Sequence, residues 1–224
     1  MSKGDGMANT KLHGNNYKLK DGKRAASVTT IIGNMLGWNK NTLIAWAKRV
    51  TMAGEDSDAV MREAGQIGTL LHILIQGHIQ GFDVSTEDFT PNQEKQALIA
   101  FGGYMNWVNK TDFKPLASEL TLVNEDLRVG GTIDCIARIK DELVVVDWKS
   151  SKYGPYPEMI VQLGAYVFMY EAAQPKAKVS HGLIMRFGKE DGKFHQHHID
   201  REKIDAGAQV FKHCVALNKL KTLL

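Results

Sequence analysis

Three strand-like segments in the middle of the chain limit its fold more than any other part of the sequence. Residues 116–123, 128–139 and 143–149 are rich in Val, Ile, Leu and Thr, and short polar segments separate them. Such runs are typical of β-strands, and short polar connections favour antiparallel pairing between neighbours. The stretch therefore predicts three consecutive antiparallel strands.

Helical spacing of apolar residues precedes and follows these strands. The predicted helices are about 41–53, about 57–80, Pro91 to about Asn109, about 157–173 and 201–220. A second strand pair, 178–187 and 193–199, lies between the last two helices. This order of elements predicts an α/β fold in which helices pack on a central mixed sheet.

The length and composition favour one ordinary folded domain. The 224 residues can bury an ample core but lack room for two full domains. A hydrophobic share of 43% and a charged share of 24% exclude the disordered, collagen-like and coiled-coil classes for the bulk of the chain. We therefore predict a flexible tail over residues 1–16, rich in Gly, Asn and Lys, and a single domain over residues 17–224.

The composition also favours a cytoplasmic protein. No apolar run approaches the roughly 18 residues that span a bilayer, and the start of the chain has no apolar signal segment. Two cysteines, Cys135 and Cys214, are too few for a disulfide framework, which points to a reducing compartment. The formal net charge of +3 neither requires nor excludes a nucleic-acid partner.

Two aspartates lie on neighbouring predicted strands. Asp147 and Lys149 share one strand face, because side chains alternate along a strand. If Lys140 and Asp141 form a two-residue turn, Asp134 lies directly opposite Asp147. Two facing carboxylates repel each other unless a positive charge lies between them, and a divalent cation usually supplies it.

The residue types at this point favour Mg²⁺ or Mn²⁺ over Zn²⁺, because they offer carboxylate oxygens and no thiolate. Mg²⁺ keeps several waters, and one of them could act as the nucleophile. Lys149 could orient that water or neutralise charge that develops on a phosphate. Glu119 could reach the cluster if its strand pairs beside that of Asp134. A structural salt-bridge group that contains Asp147 and Lys149 is the alternative that spacing alone leaves open.

The motifs around these residues resemble the PD-(D/E)XK nuclease superfamily. They resemble more closely its RecB-like exonuclease branch, which includes the mitochondrial genome maintenance exonuclease and many phage-encoded homologues. The resemblance covers about residues 17–200. The matching elements are Ser27-Val-Thr29, Gly68 to His72, Glu119, Gly131 to Asp134, Asp147-Trp-Lys149 and Gln162 to Tyr166. Two positions depart from the pattern: Ile133 replaces the name-giving Pro, and Asp147 replaces the commoner Glu.

The resemblance implies a restriction-endonuclease-like core and a role for each matching residue. The implied metal ligands are His72, Asp134, Asp147 and the backbone carbonyl of Trp148. Lys149 would be the catalytic lysine, and Glu119 would help to bind the metal or position the water. Gln162 and Tyr166 would steady the DNA strand or the lysine. The four-cysteine iron–sulfur cluster of some relatives is not expected, because this chain has two cysteines.

Further residues are candidates for substrate contacts. Ser27 and Thr29 match the family's entry motif, although either could equally cap a helix. Arg186 lies in an apolar strand-like segment, where a phosphate contact and a salt bridge are equally good interpretations. Lys152 could line a DNA path, and Trp107 could stack on bases.

The resulting hypothesis is a metal-dependent DNA exonuclease that hydrolyses phosphodiester bonds at single-stranded ends or flaps. It would act in DNA replication, recombination or repair, with a recombinase, helicase or single-strand-binding protein as a partner. The chain has no ATPase motif, so processivity requires a clamp, a partner or a helical arch formed by residues about 41–110. The alternatives are a structure-specific or restriction-type endonuclease and a non-catalytic nucleic-acid-binding module of the same fold.

Overall fold

The computed structural model describes residues 16–224, so the tail predicted for residues 1–16 lies, apart from Asn16, outside the described residues. The strands are β1 (Ala26–Ser27), β2 (Phe113–Asn124), β3 (Val129–Ile139), β4 (Glu142–Lys149), β5 (His181–Phe187) and β6 (Phe194–Ile199). The helices are α1 (Val28–Met35), α2 (Lys40–Met52), α3 (Ser57–Gln80), α4 (Pro91–Val108), α5 (Pro157–Ala173) and α6 (Arg201–Lys221).

The strands form one mixed sheet in which β3 is central. β2 pairs antiparallel with one edge of β3 along most of its length. On the other edge, β1 pairs parallel with the start of β3, and β4 pairs antiparallel with its second half. β4 then pairs parallel with β5, which pairs antiparallel with β6. The predicted α/β fold with a central mixed sheet is confirmed.

Most predicted helices are confirmed, and local interactions explain where they begin and end. The chain turns left-handed at Gly81 (φ 74°), which ends α3. Thr90 and Gln93 form a reciprocal capping box in front of α4. The Asp200 carboxylate accepts the backbone N–H of Lys203 and so begins α6. The strand predicted over residues 178–187 is three residues shorter in the structure, where β5 starts at His181.

Helices cover both faces of the sheet. On one face, α1, α5 and α6 bury an apolar cluster that includes Ile136, Val145 and Phe211. On the other face, α3 and α4 pack their apolar residues against side chains such as Val146 and Trp148. Within the predicted arch-like part, α3 and α4 therefore belong to a core layer, whereas α2 contributes no buried residue. In residues 16–224, no helix is both long and apolar enough to cross a membrane.

Candidate active site

The two aspartates lie where β3 and β4 separate. Lys140 and Asp141 both have positive φ, 49° and 65°, as a two-residue type I′ hairpin turn requires. The ladder above this turn ends at the pair Cys135 and Val146, one residue before Asp134 and Asp147 would meet. The predicted register is therefore confirmed, and the two carboxylates stand at the opening of the strand pair.

Asp134 also holds the backbone of β4 at this opening. The backbone N–H of Trp148 donates to its carboxylate at 2.8 Å. Trp148 lies beyond the last paired residues of β3 and β4, so its buried N–H has no backbone acceptor on β3. The Asp134 carboxylate accepts this N–H instead. The carboxylate is thereby oriented by the strand that carries Asp147 and Lys149.

Glu119 reaches the site through an irregular point in β2. The paired residues on either side of it place Glu119 level with Asp134. Ala117 and Leu120 pack against the same apolar cluster although they are three residues apart, so the alternation of side chains breaks between them. Glu119 itself adopts a left-handed conformation (φ 54°), which costs a non-glycine residue on the order of 1 kcal/mol. The predicted pairing of this strand beside β3 is confirmed.

His72 of α3 faces both of these carboxylates. Its Nδ1 lies 3.6 Å from a Glu119 oxygen and 3.7 Å from an Asp134 oxygen. Its Nε2 lies 3.1 Å from the carbonyl oxygen of Trp148. Burial lowers the pKa of His72, but the charges of Asp134 and Glu119 outweigh burial and raise the pKa to about 9. A raised pKa favours the protonated imidazole, whose positive charge lies between the carboxylates of Glu119 and Asp134.

Asp147 and Lys149 form a buried ion pair beside this group. The Lys149 Nζ lies 2.7 Å from both carboxylate oxygens of Asp147, whose side chain is 2% exposed. Burial raises the pKa of Asp147 to about 6, although the charge of Lys149 lowers it. Burial lowers the pKa of Lys149, but Asp147 and Asp134 outweigh burial and raise it, so the lysine is charged.

The donor atoms at this point suit a hard divalent cation. Among residues 16–224, the ligand atoms of His72, Glu119 and Asp134 lie within 4.8 Å of one another. The Trp148 carbonyl contacts the same imidazole, whereas Asp147 is directed to Lys149. Carboxylate and carbonyl oxygens with an imidazole and no thiolate are a set for Mg²⁺ or Mn²⁺.

Gln162 and Tyr166 lie one helical turn apart on α5, as their spacing predicts. The Gln162 amide donates to the Tyr166 hydroxyl at 3.2 Å. Tyr166 is 5% exposed, and burial together with the charge of Asp134 raises the pKa of its phenol. Its ring lies against Gly131, where an added Cβ would come 2.7 Å from the ring carbon Cε1. Glycine therefore allows α5 to approach β3 close to Asp134.

This close approach makes a stability prediction. Gly131→Ala forces the Tyr166 ring to move, and we expect the free energy of unfolding to fall by about 1–3 kcal/mol. Chemical denaturation measures the change. Gly102→Ala is the matched control, because its added Cβ in α4 meets no atom within 4 Å and alanine favours a helix. Equal stability of Gly131→Ala and the parent would contradict the prediction.

The remaining predicted contacts are spread around this cluster. Arg186 of β5 pairs with Lys149 in the sheet, and its guanidinium donates to the Lys152 carbonyl at 2.6 Å and to His197 Nε2 at 3.2 Å. It thereby anchors the loop that follows β4. Ser27 caps α1 by accepting the N–H of Thr30 at 2.9 Å. Of the two proposed caps Ser27 is thus the one observed, and the neighbouring Thr29 side chain is exposed.

Aromatic residues are where the sequence interpretation was wrong. Trp107 is 1% exposed and packs in the core, so it does not reach a base. Trp46, Tyr153 and Tyr156 instead line an open groove of about 790 Å³ that also contains Lys149. A signal existed for the two tyrosines, because they lie in a Gly-Pro loop a few residues after the Asp-Trp-Lys motif.

A comparison with known protein families identifies the family of this chain. A sequence model of the PD-(D/E)XK nuclease superfamily matches residues 46–221. No curated protein matches the chain. Among solved structures, the chain is distantly similar to that of SSO0001, with 12% identity, coverage of 85% of this chain and 76% of that chain, and a TM-score of 0.37. On the family match over most of its length, and on the mixed sheet that carries the motif, this chain belongs to the PD-(D/E)XK nuclease superfamily.

Proposed function

We propose that this protein is a metal-dependent DNA exonuclease that acts on single-stranded ends. The observation that carries the proposal is the meeting of His72, Glu119 and Asp134 beside the Asp147–Lys149 pair at the opening between β3 and β4. Acidic groups that converge beside a partly buried lysine suit phosphodiester hydrolysis, because charge must be balanced on both the phosphate and the attacking water.

The metal would be held by His72, Glu119 and Asp134, with the Trp148 carbonyl beside them. Asp147, which contacts Lys149 at 2.7 Å, would be the further ligand that the family resemblance implies. A bound Mg²⁺ or Mn²⁺ lowers the pKa of a water and polarises a phosphate oxygen. His72 would bind in its neutral form, so its proton would leave when the metal enters. Asp134 would keep its orientation during this exchange, because the Trp148 N–H holds it.

Lys149 would act on the substrate side of the site. Its ammonium is charged, its side chain is 20% exposed, and Asp147 fixes its position through a contact of 2.7 Å. An ammonium held in this way can orient the attacking water and neutralise the charge that develops on the phosphate oxygens. Gln162 and Tyr166 would steady the strand from α5, where they already hydrogen-bond to each other.

The exonuclease proposal rests on two supports besides the metal centre. The motif order resembles the RecB-like branch, and an open groove reaches Lys149 from the side of α2. Lys152 lies in the loop that follows β4, and Arg186 contacts that loop. Cations at this position suit phosphate contacts. A role in DNA replication, recombination or repair follows from such an activity, with a helicase, recombinase or single-strand-binding protein to deliver ends.

The test compares substrates that differ only in their ends. End-labelled linear single strands, linear duplexes and closed circular single strands are incubated with Mg²⁺ or Mn²⁺, with and without chelator. We expect chelator-sensitive shortening of the linear single strand and no cleavage of the circle. Cleavage of the circle would instead establish an endonuclease. Binding of DNA without turnover in either metal would leave a non-catalytic binding module and overturn the proposal.

A further inference from the structure

A groove runs beside the proposed metal centre, between α2, α3 and the loop that follows β4. It has a volume of about 790 Å³ and is open to solvent. Lys149 lies in its wall, and the same lysine contacts Asp147 at 2.7 Å. The groove therefore ends beside the acidic cluster, with Lys149 shared between the groove wall and the contact to Asp147.

Aromatic and apolar side chains form a large part of the groove wall. Trp46 comes from α2, Tyr153 and Tyr156 come from the loop, and Met61 comes from α3. Tyr153 is 66% exposed and Met61 is 53% exposed, although large apolar groups favour burial. No residue of α2 is buried, so this helix is not explained by the core. An exposed apolar wall of this kind marks a binding surface.

The charged residues of the groove are mostly cations. Arg49, Lys149, Lys152 and Lys189 line it, against the single carboxylate of Glu190. Glu190 lies 3.8 Å from Lys152, and both side chains are more than 60% exposed, so the pair is weak. A net positive groove complements a polyanion, whereas an apolar peptide or a second copy of this chain would leave these charges without a counterpart.

Aromatic faces combined with cations form the surface that binds single-stranded nucleic acid. Bases stack on the aromatic rings, and the phosphates follow the cations. In a duplex the bases are already stacked on each other and are not available to side chains. We infer that Trp46 and Tyr153 form a base-stacking platform that holds a single DNA strand in this groove and directs it to Lys149. This inference rests on the proposed function and identifies the part of the chain that selects single strands.

Small residues on α3 leave the space that such a strand needs. Ala64 and Gly65 line the groove, and a Cβ added at Gly65 meets no atom within 4 Å. The Cβ of a larger side chain can therefore be placed there without a clash. Gly65→Phe would fill the groove from the helix side and leave the metal centre intact.

The experiment measures binding without cleavage. A fluorescein-labelled oligo-dT, an abasic oligonucleotide of the same length and a duplex are titrated by anisotropy in chelator. We expect oligo-dT to bind at least about fivefold more tightly than the abasic strand, because each stacked base contributes measurable affinity. Trp46→Ala and Tyr153→Ala should each weaken oligo-dT binding by about fivefold or more, and Trp46→Phe should retain most of it. Gly65→Phe should weaken it as well.

A matched control is available next to α2. Trp38 is 56% exposed but does not line the groove, so Trp38→Ala should bind oligo-dT like the parent. Equal binding of the abasic and base-bearing strands, or unchanged binding in both alanine variants, would overturn the inference. A dimer that Trp46→Ala dissociates, with oligo-dT affinity unchanged, would assign the groove to a second copy and also overturn it.

The two proposals fail separately. Loss of metal-dependent cleavage with intact oligo-dT binding would remove the exonuclease and leave the stacking platform. Cleavage that persists while Trp46→Ala and Tyr153→Ala bind oligo-dT normally would remove the platform and leave the nuclease.

Discussion

Asp134→Asn is expected to lower metal-dependent cleavage by about a thousandfold or more, because it removes a negative charge from the proposed metal ligands. The asparagine oxygen can still accept the Trp148 N–H, so the opening between β3 and β4 should be retained. Binding of Mn²⁺, measured by calorimetry, should weaken together with cleavage. This parallel loss would separate a ligand role from a structural one.

Asp141→Asn is the matched control for this change. Asp141 lies in the turn of the same strand pair with φ 65°, a conformation that asparagine adopts readily. The control should cleave and bind Mn²⁺ like the parent. Near-parental cleavage by Asp134→Asn would refute the proposed metal centre, whatever the control does.

Lys149→Met is expected to lower cleavage by about a hundredfold or more, because it removes the ammonium proposed to act on the phosphate. Within residues 16–224, this ammonium is the only cation in contact with Asp147. The substitution also leaves the Asp147 carboxylate buried without its partner. Breaking a buried ion pair in this way costs about 3–5 kcal/mol of stability. Cleavage assays and chemical denaturation report the two effects independently.

A double variant separates catalysis from stability. Asp147→Asn combined with Lys149→Met removes both charges, so much of the lost stability should return while cleavage stays low. Lys114→Met is the control for charge alone, because Lys114 is exposed, forms only a surface ion pair with Asp112 and does not line the groove. Full cleavage by Lys149→Met would show that the lysine serves structure and would restore the salt-bridge interpretation.

Local sequence patterns were sufficient for the strand pair that carries the motif. A two-residue turn determines the register of a hairpin, so Lys140 and Asp141 place Asp134 opposite Asp147 without reference to the rest of the chain. Side-chain alternation then puts Lys149 on the face of Asp147, and the ion pair follows. Helix caps such as Asp200 are equally local, because their hydrogen bonds close within a few residues.

Other parts of the site depend on contacts between distant segments. His72 is separated from Trp148 by 76 residues, and only the packing of α3 on the sheet brings its imidazole to that carbonyl. The left-handed conformation of Glu119 has no local signal, because glutamate does not favour it and tertiary contacts must compensate for it. Trp46 and Trp107 both lie in helices with apolar neighbours, yet Trp107 is in the core whereas Trp46 lines a groove.

The sequence by itself therefore determined the order of elements, the hairpin register and the side of the strand on which the carboxylates and the lysine lie. These features follow from interactions over a few residues, in which spacing and turn chemistry suffice. The family resemblance had indicated His72, but the tertiary structure decided where its imidazole lies and which aromatic residues line the groove beside Lys149. The burial of a side chain depends on how the whole chain packs, so the pattern along one segment does not predict it.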